Sequence, residues 1–259
     1  MLLGGDYYTL TWVNSRRPKV TYASSFGVSE IPASQVKKTK EYLSRFSMIS
    51  VREKQGAEIV EKLTGKKAEV CCDPTVLTDR KRWDELSGDC PFVSEKYIFC
   101  YFIGNNPTQR EFAKKLAQKT GCKILAVKHI DEYIKSDDDF GDIDYLEVGP
   151  KEFVNFIRYA TYVCTDSFHG TIFSIMYNKN FFTFKRFSDI QKSSMNSRVK
   201  NILSIVGLSN RLFENSITPE AALAYQVDWS DVNKRLNDFR KSSREYFERA
   251  IKCLKGAQE

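Results

Sequence analysis

Short runs of β-branched, aromatic and other apolar residues alternate along the chain with longer stretches whose apolar residues recur at helical spacing. Such alternation is typical of α/β proteins, in which crossover helices connect the strands of a parallel sheet. In the first half, the pattern predicts strands at 20–24, 48–51 and 68–72, and helices at 33–46 and 54–63. The first half therefore has the order β-α-β-α-β.

A polar, proline-containing stretch at residues 87–95 interrupts this pattern, and we predict that it is a linker. The alternation then resumes with strands predicted at 97–103, 123–127, 161–164 and 181–184, and helices at 107–119, 150–159, 169–177 and 195–206. The acidic segment 128–149 has no clear period and predicts an exposed loop, either mobile over a cleft or without a role. An amphipathic helix at 229–254 has both charge signs on its polar face, which favours a helix that packs on a core.

The composition narrows the class of protein. Of the 259 residues, 42% are hydrophobic and 28% are charged, which suffices for a large buried core. The net charge of +7 is spread over the chain, so it favours a small anionic partner as much as a polymer and gives no nucleic-acid-binding stripe. The seven cysteines form no CxxC pair and predict reduced thiols rather than disulfides or zinc ligands. Without a signal-peptide pattern or a membrane-spanning apolar run of about 18 residues, the sequence predicts a soluble, cytoplasmic protein.

The segment 162–175 joins an apolar run, a short polar turn and the start of a helical pattern. Its turn holds His169, one of only two histidines, where a parallel sheet exposes the carboxyl end of a strand and a helix N-terminus can hold an anion. An imidazole can donate a proton near neutral pH, so His169 is a candidate general acid; a structural histidine is the alternative. Gly170 beside it would let a ligand approach the backbone, and Ser167 is a candidate for substrate binding; capping of the helix by Asp166 and Ser167 is the alternative.

Cations also follow predicted strands. Arg52 ends the second predicted strand, where its guanidinium can bind a carboxylate or a phosphate; a surface salt bridge is the alternative. Lys185, Arg186 and Arg198 form a further cluster that can complete an anion site, although solvated surface charge is the ordinary role of each. His129 follows another strand and is a weaker candidate for substrate binding. The sequence has no metal-ligand spacing and no phosphate-binding glycine motif.

Five short segments follow one another in a characteristic order, namely 24–27 (SSFG), 49–53 (ISVRE), 73–75 (DPT), 165–170 (TDSFHG) and 196–198 (NSR). In this order and spacing they resemble the polysaccharide pyruvyl transferase family, and the likeness covers most of the chain. The resemblance implies an α/β fold of the GT-B type, with two Rossmann-like domains facing across a cleft.

The resemblance also implies a division of the chain. Residues 1–90 are expected to form the first Rossmann-like domain on the acceptor side, 91–227 the second on the donor side, and 228–259 a helix that returns to the first domain. Residues 2–6 (LLGGD) look like a turn from the middle of the family's first domain. We therefore expect the opening part of that domain to be missing here.

The activity that the resemblance implies is transfer of a pyruvyl group from phosphoenolpyruvate to a sugar, which forms a cyclic pyruvate ketal. Under this scheme His169 is the general acid and Arg52 binds the anionic groups of the donor, with no cofactor and no metal. Many relatives carry an arginine where this chain has Ser167. Its anion-binding role would pass to Lys185, Arg186 or Arg198, or be lost.

Two other functions remain open at this point. A GT-B glycosyltransferase that uses a sugar nucleotide would share the fold and a basic cleft, and a catalytically silent scaffold would explain the missing opening part. The expected partners are phosphoenolpyruvate and a saccharide acceptor, with a lipid-linked acceptor at the inner face of the membrane and a homo-oligomer left open. Nucleic acid and a transmembrane segment are not expected.

Overall fold

The computed structural model describes residues 9–14, 16–28, 30–128, 133–145, 147–187, 196–213 and 216–256. The strands are β1 Ser50–Val51, β2 Glu69–Val70, β3 Tyr97–Tyr101, β4 Lys123–Val127, β5 Ile143–Tyr145, β6 Tyr162–Thr165, β7 Asn180–Phe184 and β8 Leu212–Phe213. The α-helices are α1 Val36–Ser44, α2 Lys54–Thr64, α3 Pro74–Leu77, α4 Arg80–Ser87, α5 Pro107–Thr120, α6 Pro150–Tyr159, α7 Phe168–Met176, α8 Asn196–Ile205, α9 Pro219–Leu223 and α10 Trp229–Lys255. Paired strands are parallel throughout the described residues, so the chain is an α/β protein.

The chain divides into two compact units. Unit 1 comprises Met1–Leu77, Asp189–Asn201 and Asn237–Glu259, and unit 2 comprises Thr78–Ser188 and Ile202–Leu236. In unit 1, β1 and β2 form a parallel pair over a core that includes Phe46, Ile49, Val51 and Val60. Burial of these apolar side chains positions the ends of the short strands, where the polar residues of the site follow.

The strand predicted at 20–24 is not a continuous strand in the structure. In the structure this segment makes only isolated parallel bridges, Val20 with Met48 and Ser24 with Val51. Ala23, which lies between the bridged residues, has φ of 46°, a left-handed conformation that breaks a continuous ladder. The Ser50 hydroxyl accepts the Ala23 N–H at 2.9 Å, so a side chain replaces the missing ladder bond.

Unit 2 is built on a six-stranded sheet with the order β5-β4-β3-β6-β7-β8. Counted from β3 as the first strand, this is the order 3-2-1-4-5-6 of a doubly wound Rossmann sheet. Buried aromatic and aliphatic residues, including Phe99, Leu125, Val163 and Phe182, cover its central strands. The strand order reverses between β3 and β6, and ligands of such sheets bind outside the carboxyl ends of the strands at that point.

Two segments of unit 2 are placed by contacts that the sequence pattern does not show. Helix α4 belongs to unit 2 because the Asn155 amide donates to the carbonyl oxygens of Ser87 and Cys90, both at 2.9 Å, and so joins α4 and the predicted linker to α6. The predicted loop at 128–149 contains a sheet strand, β5, which pairs with β4 through Ile143 and Leu125. The Tyr145 ring packs 4.7 Å from that of Phe156, a tertiary contact that an acidic sequence does not reveal.

The later part of α10 packs within unit 1. The Ser243 hydroxyl accepts the Cys72 N–H at 2.9 Å, and the Tyr246 hydroxyl donates to the Thr21 carbonyl at 2.9 Å.

All seven cysteines are free thiols, and Cys71, Cys72, Cys100, Cys122 and Cys164 are buried. Across the described ranges, no helix is long and apolar enough to cross a bilayer.

Candidate functional site

In unit 2, Asp166 follows β6 and forms hydrogen bonds with the loop that follows β3, at the point where the strand order reverses. Its carboxylate accepts the N–H of Ile103 at 2.7 Å and that of Gly104 at 2.9 Å, in the loop that follows β3. The Asp166 side chain is fully buried, so these hydrogen bonds satisfy a charge that has left water. The polar residue predicted as a helix cap therefore fixes the carboxyl edge of the sheet instead.

Arg186 lies against the same aspartate. Its Nη2 donates to the Asp166 carbonyl oxygen at 3.2 Å, and its Nε lies 3.7 Å from Asp166 Oδ1. A Cβ added at Gly104 would lie 2.8 Å from Asp166 Oδ2 and 3.0 Å from Arg186 Cγ, so only glycine fits between them. These contacts hold the Arg186 guanidinium at this edge, and 17% of the side chain stays exposed.

Two buried residues of α5, Gln109 and Arg110, fix this edge through hydrogen bonds to backbone carbonyl groups. Arg110 donates to the Gly104 carbonyl oxygen at 2.6 Å and forms an ion pair with Asp137 at 2.7 Å. Gln109 donates to the Lys185 carbonyl oxygen at 3.1 Å. Lys185 itself is half-buried and directly follows β7, the strand after which the sequence places this candidate anion-binding residue. The loop after β3 and the segment after β7 are thus both fixed by α5.

His169 is the only exposed residue of α7; the other eight residues of this helix are buried. The helix begins at the carboxyl end of β6, and Ser167 caps it, because its hydroxyl accepts the Gly170 N–H at 3.3 Å. The imidazole lies edge-on to the Phe168 ring, with 5.4 Å between the ring centroids. An exposed titratable group on an otherwise buried helix has a position that core packing does not require.

The structure gives Gly170 a packing role and Ser167 a capping role. A Cβ at Gly170 would lie 2.6 Å from Thr165 Oγ1, and that hydroxyl is itself held by the Tyr101 carbonyl at 2.7 Å. The space beside Gly170 is therefore filled by Thr165 and is not open to a ligand.

Replacing Gly170 with alanine is expected to destabilise the fold by about 1–3 kcal/mol, because overpacking forces Thr165 or the helix to move. Denaturant unfolding measures the change. Gly256→Ala is the matched control, because its Cβ would lie 3.5 Å from the Lys252 carbonyl oxygen, an ordinary contact. An unchanged midpoint for the Gly170 variant would contradict the packing role.

Replacing Asp166 with asparagine is expected to cost about 1–3 kcal/mol, because an amide has one acceptor oxygen for the two N–H groups that the buried carboxylate now binds through separate oxygens. The Asp142→Asn variant is the control, since this exposed carboxylate accepts a single N–H, that of Ile124 at 2.7 Å. Equal losses in the two variants, measured by thermal unfolding, would show that Asp166 has no special role in fixing the loop.

In unit 1, Arg52 follows β1 and is fixed by two hydrogen bonds. Its Nε donates to the Ala23 carbonyl oxygen at 2.9 Å, and its Nη1 forms an ion pair with Asp73 at 2.7 Å. The Asn201 amide of α8 donates to the Arg52 carbonyl oxygen at 2.8 Å. These contacts pre-orient the guanidinium at the carboxyl edge of β1, and 22% of the Arg52 side chain stays exposed.

Glu53, the next residue, is a buried acid that sequence reasoning missed. It is 2% exposed, and its Oε1 accepts the Ser25 hydroxyl at 3.0 Å and the Phe26 N–H at 3.2 Å. Burial raises the pKa of the Glu53 carboxyl, while these hydrogen bonds and the charges of Arg198 and Arg52 oppose the increase. The signals in the sequence were its place directly after Arg52 and its inclusion in the segment 49–53 that carries the family resemblance.

The predicted cationic cluster of Lys185, Arg186 and Arg198 is divided between the units. Lys185 and Arg186 lie in unit 2, whereas Arg198 lies on the part of α8 that belongs to unit 1, where its charge acts on Glu53. Sequence proximity to a strand end does not show this division, because α8 contributes residues to both units. His129 lies outside the described residues. Among the residues that the structure does describe, no group of three or more His, Cys, Asp or Glu side chains could hold a metal ion.

The family model for polysaccharide pyruvyl transferase matches residues 1–186. This match covers more than half of the chain and includes both Arg52 and His169, so the chain belongs to the polysaccharide pyruvyl transferase family. No curated protein sequence matches it.

Comparison with solved structures describes the fold. A proposed UDP-N-acetylglucosamine 2-epimerase from Listeria monocytogenes aligns with a TM-score of 0.52 at 10% identity, over 91% of this chain and 63% of that one. The wall teichoic acid polymerase TagF aligns with a TM-score of 0.46 at 12% identity, over 90% of this chain and 64% of that one, which is too low to establish a shared fold. The chain thus spans less than two thirds of the length of these proteins. Its fold is α/β and GT-B-like, as the sequence predicts.

Proposed function

We propose that this protein transfers a pyruvyl group from phosphoenolpyruvate to a sugar of a surface polysaccharide or its lipid-linked precursor, and forms a pyruvate ketal. Family membership supports a pyruvyl transferase. The observation that carries the proposal is the exposure of His169 on an otherwise buried helix, beside the point where the sheet order reverses. A proton donor at such a place suits chemistry that protonates a carbon atom of the donor.

The reaction forms two new bonds at C2 of the donor, the first by addition and the second by displacement of phosphate. In the first, a sugar hydroxyl forms a bond to C2 while C3 takes a proton from His169 and becomes a methyl group. In the second, another hydroxyl of the same sugar bonds to C2 and phosphate leaves with its electron pair. Of the two hydroxyl protons released, one restores His169 and the other leaves with phosphate or solvent.

The donor carries a carboxylate and a phosphate, and the chain has cations for such groups. We assign Arg52 to donor-anion binding because its guanidinium is pre-oriented by Asp73 and the Ala23 carbonyl. Lys185 and Arg186 are assigned to the same task in unit 2, at the carboxyl edge of its sheet. This chemistry requires no cofactor and no metal, and a cytoplasmic site would give access to phosphoenolpyruvate.

Phosphate release tests the proposal. With phosphoenolpyruvate and a panel of lipid-linked and free oligosaccharides, we expect acceptor-dependent release of inorganic phosphate. The same acceptors with a panel of sugar nucleotides are expected to give no nucleotide release. Turnover of a sugar nucleotide would instead establish a glycosyltransferase, and binding of saccharide without turnover of either donor would establish a scaffold.

A further inference from the structure

Glu53 combines burial with incomplete hydrogen bonding. One carboxyl oxygen, Oε1, accepts both the Ser25 hydroxyl and the Phe26 N–H. The other, Oε2, is buried and has no hydrogen-bond partner within the described residues. A carboxylate in this position would keep a buried charged oxygen without a hydrogen bond, which favours a carboxyl that can hold a proton.

The surroundings of Glu53 set how easily it takes that proton. Two cations face it, Arg198 from α8 and Arg52 from the end of β1, and both stabilise the charged form. Burial acts in the opposite direction and is the larger effect, so the pKa of the carboxyl lies above its ordinary value. A carboxyl of this kind can accept and return protons closer to neutral pH than an exposed glutamate.

Ser25 connects this buried acid with the surface. It is half-buried, and its hydroxyl hydrogen points to Glu53 Oε1 at 3.0 Å. A serine hydroxyl has one donor and two lone pairs, so donation to Glu53 leaves its oxygen able to accept another proton. The neighbouring Ser24 carbonyl accepts the Arg52 N–H at 3.0 Å, which places Ser25 at the same edge as the proposed donor-anion ligand.

We propose that Ser25 and Glu53 form a proton relay that deprotonates an acceptor hydroxyl, an assignment that rests on the proposed function. As the acceptor oxygen bonds to C2 of the donor, its O–H bond breaks and the proton passes to Ser25 Oγ. The Ser25 hydroxyl hydrogen passes to Glu53 Oε1, which makes the carboxyl neutral. After the product leaves, the proton returns through Ser25 to solvent, and no oxidant or cofactor takes part.

A purely structural role for Glu53 would be to fix the turn of residues 25–27, and glutamine separates the two roles. The Glu53→Gln side chain keeps an oxygen that can accept from Ser25 and Phe26, but it cannot take up a proton. Ser25→Ala removes the relay hydroxyl and leaves the carboxyl in place. Glu58→Gln is the matched control, because Glu58 is an exposed glutamate of α2, the helix that begins directly after Glu53.

The relay predicts that Glu53→Gln lowers kcat by at least about a hundredfold and abolishes the acidic limb of the pH profile of kcat/KM. The KM for phosphoenolpyruvate is expected to stay within about twofold, because the donor-anion ligands are unchanged. Ser25→Ala should lower kcat to a similar extent, while the Glu58 variant retains wild-type values. A Glu53 variant with near-wild-type kcat and an unchanged pH profile would overturn the relay.

Titration of the Glu53 carboxyl by carbon-13 NMR gives a readout that does not depend on turnover. We expect a pKa above the ordinary value of about 4.3, with the signal assigned by its loss in Glu53→Gln. An enzyme that releases phosphate while Glu53 titrates near the ordinary value would overturn the relay alone. A protein in which Glu53 titrates high, yet which neither binds phosphoenolpyruvate nor releases phosphate, would overturn the proposed function and the relay with it.

Discussion

Replacing His169 with alanine is expected to lower kcat for phosphate release by ~10²–10⁴-fold, the usual loss when a general acid is removed. The side chain is exposed, so the variant should fold normally and unfold within about 0.5 kcal/mol of wild type. The affinity for phosphoenolpyruvate, measured by calorimetry, should change far less than kcat, because the proton is transferred only in the transition state.

Thr161→Ala is the matched control for this variant. Thr161 is exposed and precedes β6, so it lies at the opposite end of the strand that leads to His169. We expect wild-type kcat for the control. If His169→Ala retained most of its activity, or lost it only together with thermal stability, the imidazole would be structural and not the proton donor.

Replacing Arg52 with alanine is expected to raise the KM for phosphoenolpyruvate by about 10- to 100-fold, since a charge-assisted hydrogen bond contributes about 1.5–3 kcal/mol. The variant also leaves the buried Asp73 without its ion-pair partner, and some loss of stability accompanies the change. Arg52→Lys keeps the charge but loses the planar fork that contacts both Ala23 and Asp73, so it should restore stability more than affinity.

Lys54→Ala tests whether any cation at this edge would serve. Lys54 is exposed, lies two residues beyond Arg52 and begins α2. Initial rates at varied phosphoenolpyruvate should give a nearly unchanged KM for this control. Equal effects in the two alanine variants would mean that net charge, and not the oriented guanidinium, attracts the donor.

Much of the fold could be predicted because apolar periodicity reports burial directly. The strands of unit 2 have apolar cores that are buried in the structure, and the predicted helix at 107–119 is observed as α5. The segments at 20–24 and 143–145 were predicted wrongly for different reasons. The first contains a left-handed residue that a pattern does not show, and the second is an acidic strand stabilised by contacts with distant residues.

The candidate site was predictable only where topology determines it. His169, Arg52, Lys185 and Arg186 were chosen as candidates because each follows a predicted strand, and ligands of parallel sheets bind outside the carboxyl ends of the strands. The residues that fix them come from distant parts of the sequence, as when Asn201 of α8 bonds the carbonyl of Arg52. Pattern reasoning has no access to such contacts, and it therefore missed Glu53, Gln109 and Arg110.

The mass of the acceptor after incubation with phosphoenolpyruvate shows whether a pyruvate ketal has formed. We expect the acceptor to gain the mass of one pyruvate less one water, with one inorganic phosphate released for each ketal formed. The gain should be absent with His169→Ala and present with Thr161→Ala. An acceptor that gains a hexose from a sugar nucleotide, or that keeps its mass with every donor, would contradict the assignment of this chain as a ketal-forming pyruvyl transferase.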